Sequence, residues 1–184
     1  MPADDPAPTR RLPRAQRREQ ILVAATEALS RNGFAATSLD DLAAEAGVSR
    51  MILYRHFESK QDLCHAVLDR ATSRLLAATE VEVGAASVQA LVTWAAAEPA
   101  AFRVLFQHAA HQPEYAAQAQ RLRSAMAAEV LTRLAGQDPW TRWAARLATT
   151  TCLEAITAWL DVGAPDPDSA VGRITAVIES IVAG

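Results

Sequence analysis

The stretch TSLDDLAAEAGVSRMILYRHFESKQDL, residues 37–63, decides the fold. It divides at Gly47-Val48-Ser49 into two short amphipathic runs. In the first, Leu39, Leu42, Ala43 and Ala46 recur at three- and four-residue steps and so share one face of a helix. Thr37 or Ser38 supplies an N-cap hydroxyl, with Asp40 or Asp41 three positions later, and either register closes a capping box. Ser49 caps the second run, Arg50 to Phe57. Two short helices about a three-residue turn have the layout of a helix-turn-helix, in which the first helix braces the second so that it can enter a major groove.

Turning 100° per residue from Arg50 puts Leu53 at about 300° and Phe57 at about 340°, inward toward Leu42, Ala43 and Val48. Arg55, at about 140°, points directly away, with Met51 and Ile52 beside it. An outward Arg can hold guanine O6 and N7 in a bidentate contact, and an exposed Met or Ile can meet a thymine methyl. Arg50, Tyr54 and His56 on the shoulders, with Thr37, Ser38 and Ser49, suit phosphate oxygens. Lys60, the chain's only lysine beside 17 arginines, adds a compact charge where the start of the next helix already favours an anion. The expected DNA-binding set is therefore Thr37, Ser38, Ser49, Arg50, Met51, Ile52, Tyr54, Arg55, His56 and Lys60.

Upstream, Ile21, Leu22, Ala25, Ala28 and Leu29 keep helical spacing over Gln16 to Asn32, and Gly33 is a C-terminal stop. Arg10, Arg11, Arg14, Arg17 and Arg18 precede or open this helix with no acid among them, forming a cationic arm that either contacts DNA or only solubilises the terminus. Downstream, Ser59 and Asp62 repeat the capping pattern, and Leu63, Val67, Ala71 and Leu75 mark a longer helix. Val88 to Ala97 reads as another. Pro99, Pro113 and Pro139 each open an amphipathic run as first-turn prolines do. Leu122, Met126, Val130 and Leu134 stripe the longest middle helix, and Val171, Ile174, Val177, Ile178 and Ile181 stripe the last. The expectation is an all-α chain of about nine helices, an N-terminal three-helix module followed by a C-terminal helical bundle. The boundaries are a basic arm at 1–15, a helix-turn-helix domain at 16–60 and a second domain at 61–184.

Composition narrows the class. At 184 residues the chain holds one ordinary domain or a small module joined to a larger one. Alanine accounts for 41 residues, which favours helix. The net charge of -3 splits after Lys60: nine basic and eight acidic groups give +1 over residues 1–60, and nine and thirteen give -4 over 61–184. Cys64 and Cys152 lie 88 positions apart with no CxxC pair, which fits a reducing cytoplasm and offers neither a disulfide framework nor a zinc-finger spacing. Pro, Asp and Arg occupy the N-terminus where a secretory signal needs an apolar core, and the longest uncharged run, Val83 to Ala97, is fifteen residues, too short to span a membrane.

Gly33-Phe34, Thr37-Ser38, Leu42-Ala43, Ala46-Gly47-Val48-Ser49, Leu53-Tyr54-Arg55-His56-Phe57, Ser59-Lys60 and Leu63 closely resemble the DNA-binding region of TetR-type transcriptional regulators. The resemblance covers about the first third of the chain. Met51-Ile52 depart from it, since the family often has a Gly-Thr-like pair there, and imply more apolar operator contacts.

The resemblance implies a homodimeric repressor that binds a palindromic double-stranded operator, with C-terminal helices for dimerisation and for sensing a small effector. It implies no enzymatic activity, cofactor or catalytic residue. Trp94, Phe102, Phe106, His108, Met126, Trp143 and Trp159 fall where the family keeps its effector pocket, and few charges lie near them, so a mostly apolar or aromatic effector is expected. Helix Trp140 to Val162 is apolar around much of its girth and, with the last helix, can build a two-fold four-helix interface through Trp140, Leu147, Ile156, Ile174, Ile178 and Ile181. The competing assignment places both helices in the monomer's own core.

Two other function classes stay open. His108-x-x-His111-x-x-Glu114 has the spacing of a metal-binding or enzymatic helix, although Pro113 interrupts it, and no metal is assigned. The helix-turn-helix can also serve as a protein-interaction module. Cys64 and His65 are neighbours in sequence, which on a helix sets them about 100° apart and not as a catalytic pair.

Overall fold

A computed structural model describes residues 12–79, 85–134 and 136–183, with backbone only for 85 and 86. Arg10 and Arg11 of the expected arm lie outside the described residues. The order is α1 (Arg14–Ala36), α2 (Leu39–Glu45), α3 (Arg50–Tyr54), α4 (Lys60–Thr79), α5 (Ala85–Ala97), α6 (Pro99–Arg103), α7 (Pro113–Arg133), α8 (Pro139–Asp161) and α9 (Pro167–Ala183). Between α6 and α7 the chain winds through a π-helical turn, Val104–His108, and a 3-10 turn, Ala109–His111. No strand occurs among the described residues, and none of their helices is long and apolar enough to cross a membrane.

Local chemistry sets most of these ends. Helix α1 starts two residues earlier than Gln16, directly after Pro13, so Arg14 is already helical. Its last turn is interrupted at Gly33, whose φ of 74° is open to glycine and costly for other residues. A Cβ there would also stand 3.3 Å from His108 Nδ1. Ser38 caps α2 and closes the capping box with Asp41, which settles the choice between Thr37 and Ser38. Asp138 caps α8 through the amides of Trp140 and Thr141.

The core runs continuously from the N-terminal helices into the C-terminal bundle. Helix α1 packs on α2, α4 and α6, α4 passes on to α5, and α5 meets α8 and α9. Ile21, Leu29, Leu42, Leu53, Leu63 and Val67 are sealed at the first junction, Phe102, Leu105, Leu153 and Ile156 in the bundle. Glu98, just before α6, binds both Arg70 and Arg74 of α4, so the seam between the two regions carries ion pairs as well as apolar contacts.

Candidate nucleic-acid interface

Helix α3 is held by very little of itself. Ser49 Oγ accepts the Ile52 amide at 3.4 Å, Gly47 turns with φ 62°, and the Val48 amide reaches Ala43 O at 3.0 Å. Of its five residues only Leu53 is buried, against Leu42 and Ala43, with Phe57 following it inward. The helix ends at Tyr54, three residues short of the expected Phe57, yet Arg55 keeps helical torsions and the amides of His56 and Phe57 still bond to Leu53 O. Gln20 of α1 ties the turn by donating to Ala46 O at 3.3 Å.

The opposite face is open. Met51 is 66% exposed and Tyr54 53%, and Arg50 and Arg55 are also exposed. Arg50 pairs with Asp40 at 3.3 Å, an exposed contact that a phosphate can replace. Arg55 Nη2 lies 3.8 Å from Met51 Sδ, so the two side chains lean together over the surface. Around them the structure gathers cations that the linear sequence kept apart. Arg14 Nη2 donates to Arg55 O at 3.4 Å, and the Arg18 guanidinium sits 4.9 Å over the Phe57 ring. The helical arginines of the expected arm thus border the end of α3.

Several assignments change. Thr37 is fully buried and its hydroxyl donates to Gly33 O at 2.6 Å, so it locks the end of α1 and cannot reach a phosphate. Ile52 is half-buried and packs against the core, so its side chain is less free to meet a base edge than the helical wheel implied. His56 is half-buried, and its Nδ1 is sealed without a hydrogen-bond partner among the described residues. Burial, then the nearby charges of Arg14, Arg18 and Arg17, push its pKa below the ordinary histidine value. Lys60 Nζ donates to Phe34 O at 2.7 Å, joining α4 to the end of α1, and is only partly exposed. Ser38 and Ser49 are exposed but serve as caps.

In the C-terminal region the aromatic assignments separate. Phe102 lies 5.0 Å from Phe106 and 6.2 Å from Trp94, ring to ring, and all three are core. Trp159 is buried with its indole N–H on Pro165 O at 2.7 Å. His108 Nε2 donates to Ser30 O at 2.9 Å, joining the π-helical turn to α1. Trp143 is 54% exposed on the outer side of α8. Of the seven expected effector residues Met126 lines a largely apolar, partly open cavity of about 360 Å³ among α4, α5, α7, α8 and α9, and Trp143 lines a shallower groove along the outer side of α8. Leu75, Leu91, Leu122 and Cys152 share its wall, and Cys152, its thiol pushed up to about 11 by burial, stays neutral. These residues carried no sequence signal beyond ordinary core spacing.

The expected dimer residues divide likewise. Ile156 and Ile174 are buried in the monomer's own core, and Ile178 lines the cavity. Trp140 is 75% exposed, and Leu147 and Ile181 are half-buried. Trp140 and Trp143 meet edge to face at 5.9 Å. His111 Nδ1 faces Gln107 O, while His108 is taken up by Ser30. No three His, Cys, Asp or Glu side chains converge on a metal-sized site among the described residues.

Comparison with known proteins decides which helix-turn-helix this is: residues 21–67 match the family described as bacterial regulatory proteins, tetR family. The chain carries the TetR-type helix-turn-helix. Over 66 residues it is 47% identical to the HTH-type transcriptional activator FasR of Mycolicibacterium smegmatis, covering 36% of this chain and 30% of that one. An uncharacterized HTH-type transcriptional regulator of Mycobacterium tuberculosis is 30% identical over 146 residues, covering 69% of this chain and 62% of that one. The chain thus spans under two thirds of the length of these curated relatives, which are regulators by name and not enzymes. The TetR-type fold extends further than the sequence match. A TetR-like transcriptional regulator from Rhodococcus sp. RHA1 superposes with a TM-score of 0.75 at 22% identity, covering 95% of this chain and 100% of that one.

Proposed function

We propose that the protein is a homodimeric, sequence-specific DNA-binding transcriptional regulator whose operator affinity is set by a small ligand in the C-terminal cavity. The observation that carries this reading is the bare outer face of α3, where Met51, Tyr54 and Arg55 stand clear while the buried Leu53 and the half-buried Ile52 anchor the helix. Arg55 reads guanine and Met51 a thymine methyl, while Arg50, Tyr54 and the α1 arginines Arg14 and Arg17 hold phosphates. Residues 16–60 form the reading head and 61–184 the effector and dimer domain. Helix α4 belongs to both, since Leu63 and Val67 pack under the head and Leu75 and Leu76 wall the cavity. A ligand that displaces the far half of α4 therefore re-aims the near half.

The two-fold contact lies along the outer side of α8. Trp140, Trp143, Leu147, Thr151, Ala158 and Val162 fall within about 60° of one line on that helix, none of them buried. Two exposed tryptophans at one end of such a stripe are the residue type that anchors interfaces. Replacing Trp140 and Trp143 by Ala leaves a folded monomer in sedimentation; a dimer that survives the double change lies on another face.

Selection of bound sites from random duplex DNA tests the whole reading. The expected product is a palindrome bound with a steep salt dependence. A folded protein that retains no DNA at low salt overturns it in favour of a protein-interaction module. Transcription from a promoter carrying the selected site, with and without the protein, gives the sign of control.

A further inference from the structure

The cavity's polar groups point to a class of occupant, an inference that rests on the cavity being the effector site. Helix α9 contributes Thr175 and Glu179 to the wall, one turn apart and so on one face. The Thr175 hydroxyl is buried with no hydrogen-bond partner among the described residues, a state that costs free energy until something pairs with it. Glu179 has no cation within ion-pair distance among the described residues. Among the described residues the other two charged groups of the wall, Arg133 and Glu129, pair with each other at 3.0 Å, and Arg133 also donates to Ser87 at 3.3 Å. An apolar interior thus opens at an edge carrying one surplus negative charge.

We infer that the cavity selects amphipathic cations, molecules with an apolar body and a single amine, over anions and neutral molecules of the same shape. The body occupies the space between Leu75, Leu91 and Met126, and the ammonium donates to the Glu179 carboxylate and the Thr175 hydroxyl. An anion of equal length meets Glu179's charge and gains Arg133 only by displacing Glu129.

Calorimetric titration of the full chain with decylamine, decanol and decanoate tests this. Decylamine is expected to bind about tenfold more tightly than decanoate, with decanol between them. Glu179→Gln brings decylamine down to the level of decanol, Thr175→Val weakens it by a smaller factor, and Met126→Trp, which fills the space, abolishes it. Equal or tighter binding of decanoate, or decylamine binding unchanged by Glu179→Gln or by Met126→Trp, overturns the inference. If all three bind alike, the effector reading stands and the charge preference falls. If none binds, both fall.

Discussion

Helices α3 and α8 both show large apolar side chains to solvent, Met51 at 66% and Trp140 at 75%, but in different settings. Helix α3 is five residues long, buries one, and is ringed by Arg14, Arg18, Arg50 and Arg55. Helix α8 is 23 residues long, buries eight along one side, and exposes a tryptophan pair at its start. An exposed methionine among cations suits base edges and phosphates, whereas exposed tryptophans backed by a full core suit a second protein surface. The lesson is that exposed apolar area becomes informative through what surrounds it.

The sharpest way to break this contrast is to exchange core and surface. Phe102→Ala should lower the unfolding free energy by about 3–5 kcal/mol, as for other buried phenylalanines, whereas the monomer expected from the Trp140→Ala, Trp143→Ala double change should be barely less stable than that from Trp140→Ala alone, both compared as monomers at high dilution. Denaturant titration separates them, and similar losses would mean that Trp143 is not free to serve an interface.

Next in size, Arg55→Ala should cost about 1–3 kcal/mol of discrimination per half-site while leaving nonspecific binding at low salt nearly intact. Competition between selected and scrambled duplexes measures this. Equal loss on both would return Arg55 to a phosphate role.

Ser38→Ala removes the capping box that starts α2 and should destabilise the fold by about 1 kcal/mol without altering base preference. A change in preference would show that Ser38 touches DNA as well as capping the helix.

The smallest expected effect concerns His56. Its folded-state pKa lies below the ordinary value of about 6.5, so the unfolded chain takes up the proton first. The stability linked to His56 is complete above that value and declines as the pH falls through the window beneath it. Denaturation at pH 5 and 7.5 should show the decline in the native protein and a shallower one in His56→Gln. An equal slope in both would place the titrating group elsewhere.

Much of the reading head was legible in order because its signals are local. Capping serines sit three residues from the backbone amides that donate to them, and Leu53 and Phe57 follow a wheel that one turn of helix already defines. The exceptions came from contacts distant in sequence: Thr37 folds back onto Gly33, Lys60 reaches Phe34 across 26 residues, and His56 lies beside the α1 arginines. In the bundle the same spacing served three ends at once. Phe102 and Ile156 went to the core, Met126 and Ile178 to the cavity, and Trp140 and Trp143 to the surface. Hydrophobicity and a 3.6-residue period are identical in all three cases, so nothing in the linear pattern separates them.

By itself, then, the sequence determined the helices, most of their caps and breaks, and the placement of Met51 and Arg55 on the outward face of α3, because hydrogen-bond closure and helical phase act within a few residues. Only the tertiary structure decided which apolar faces meet, which leave a gap and which stay bare. Those outcomes depend on how helices of fixed shape fill space together, and the packing of side chains from α4, α5, α7, α8 and α9 around one cavity is a property of no single helix.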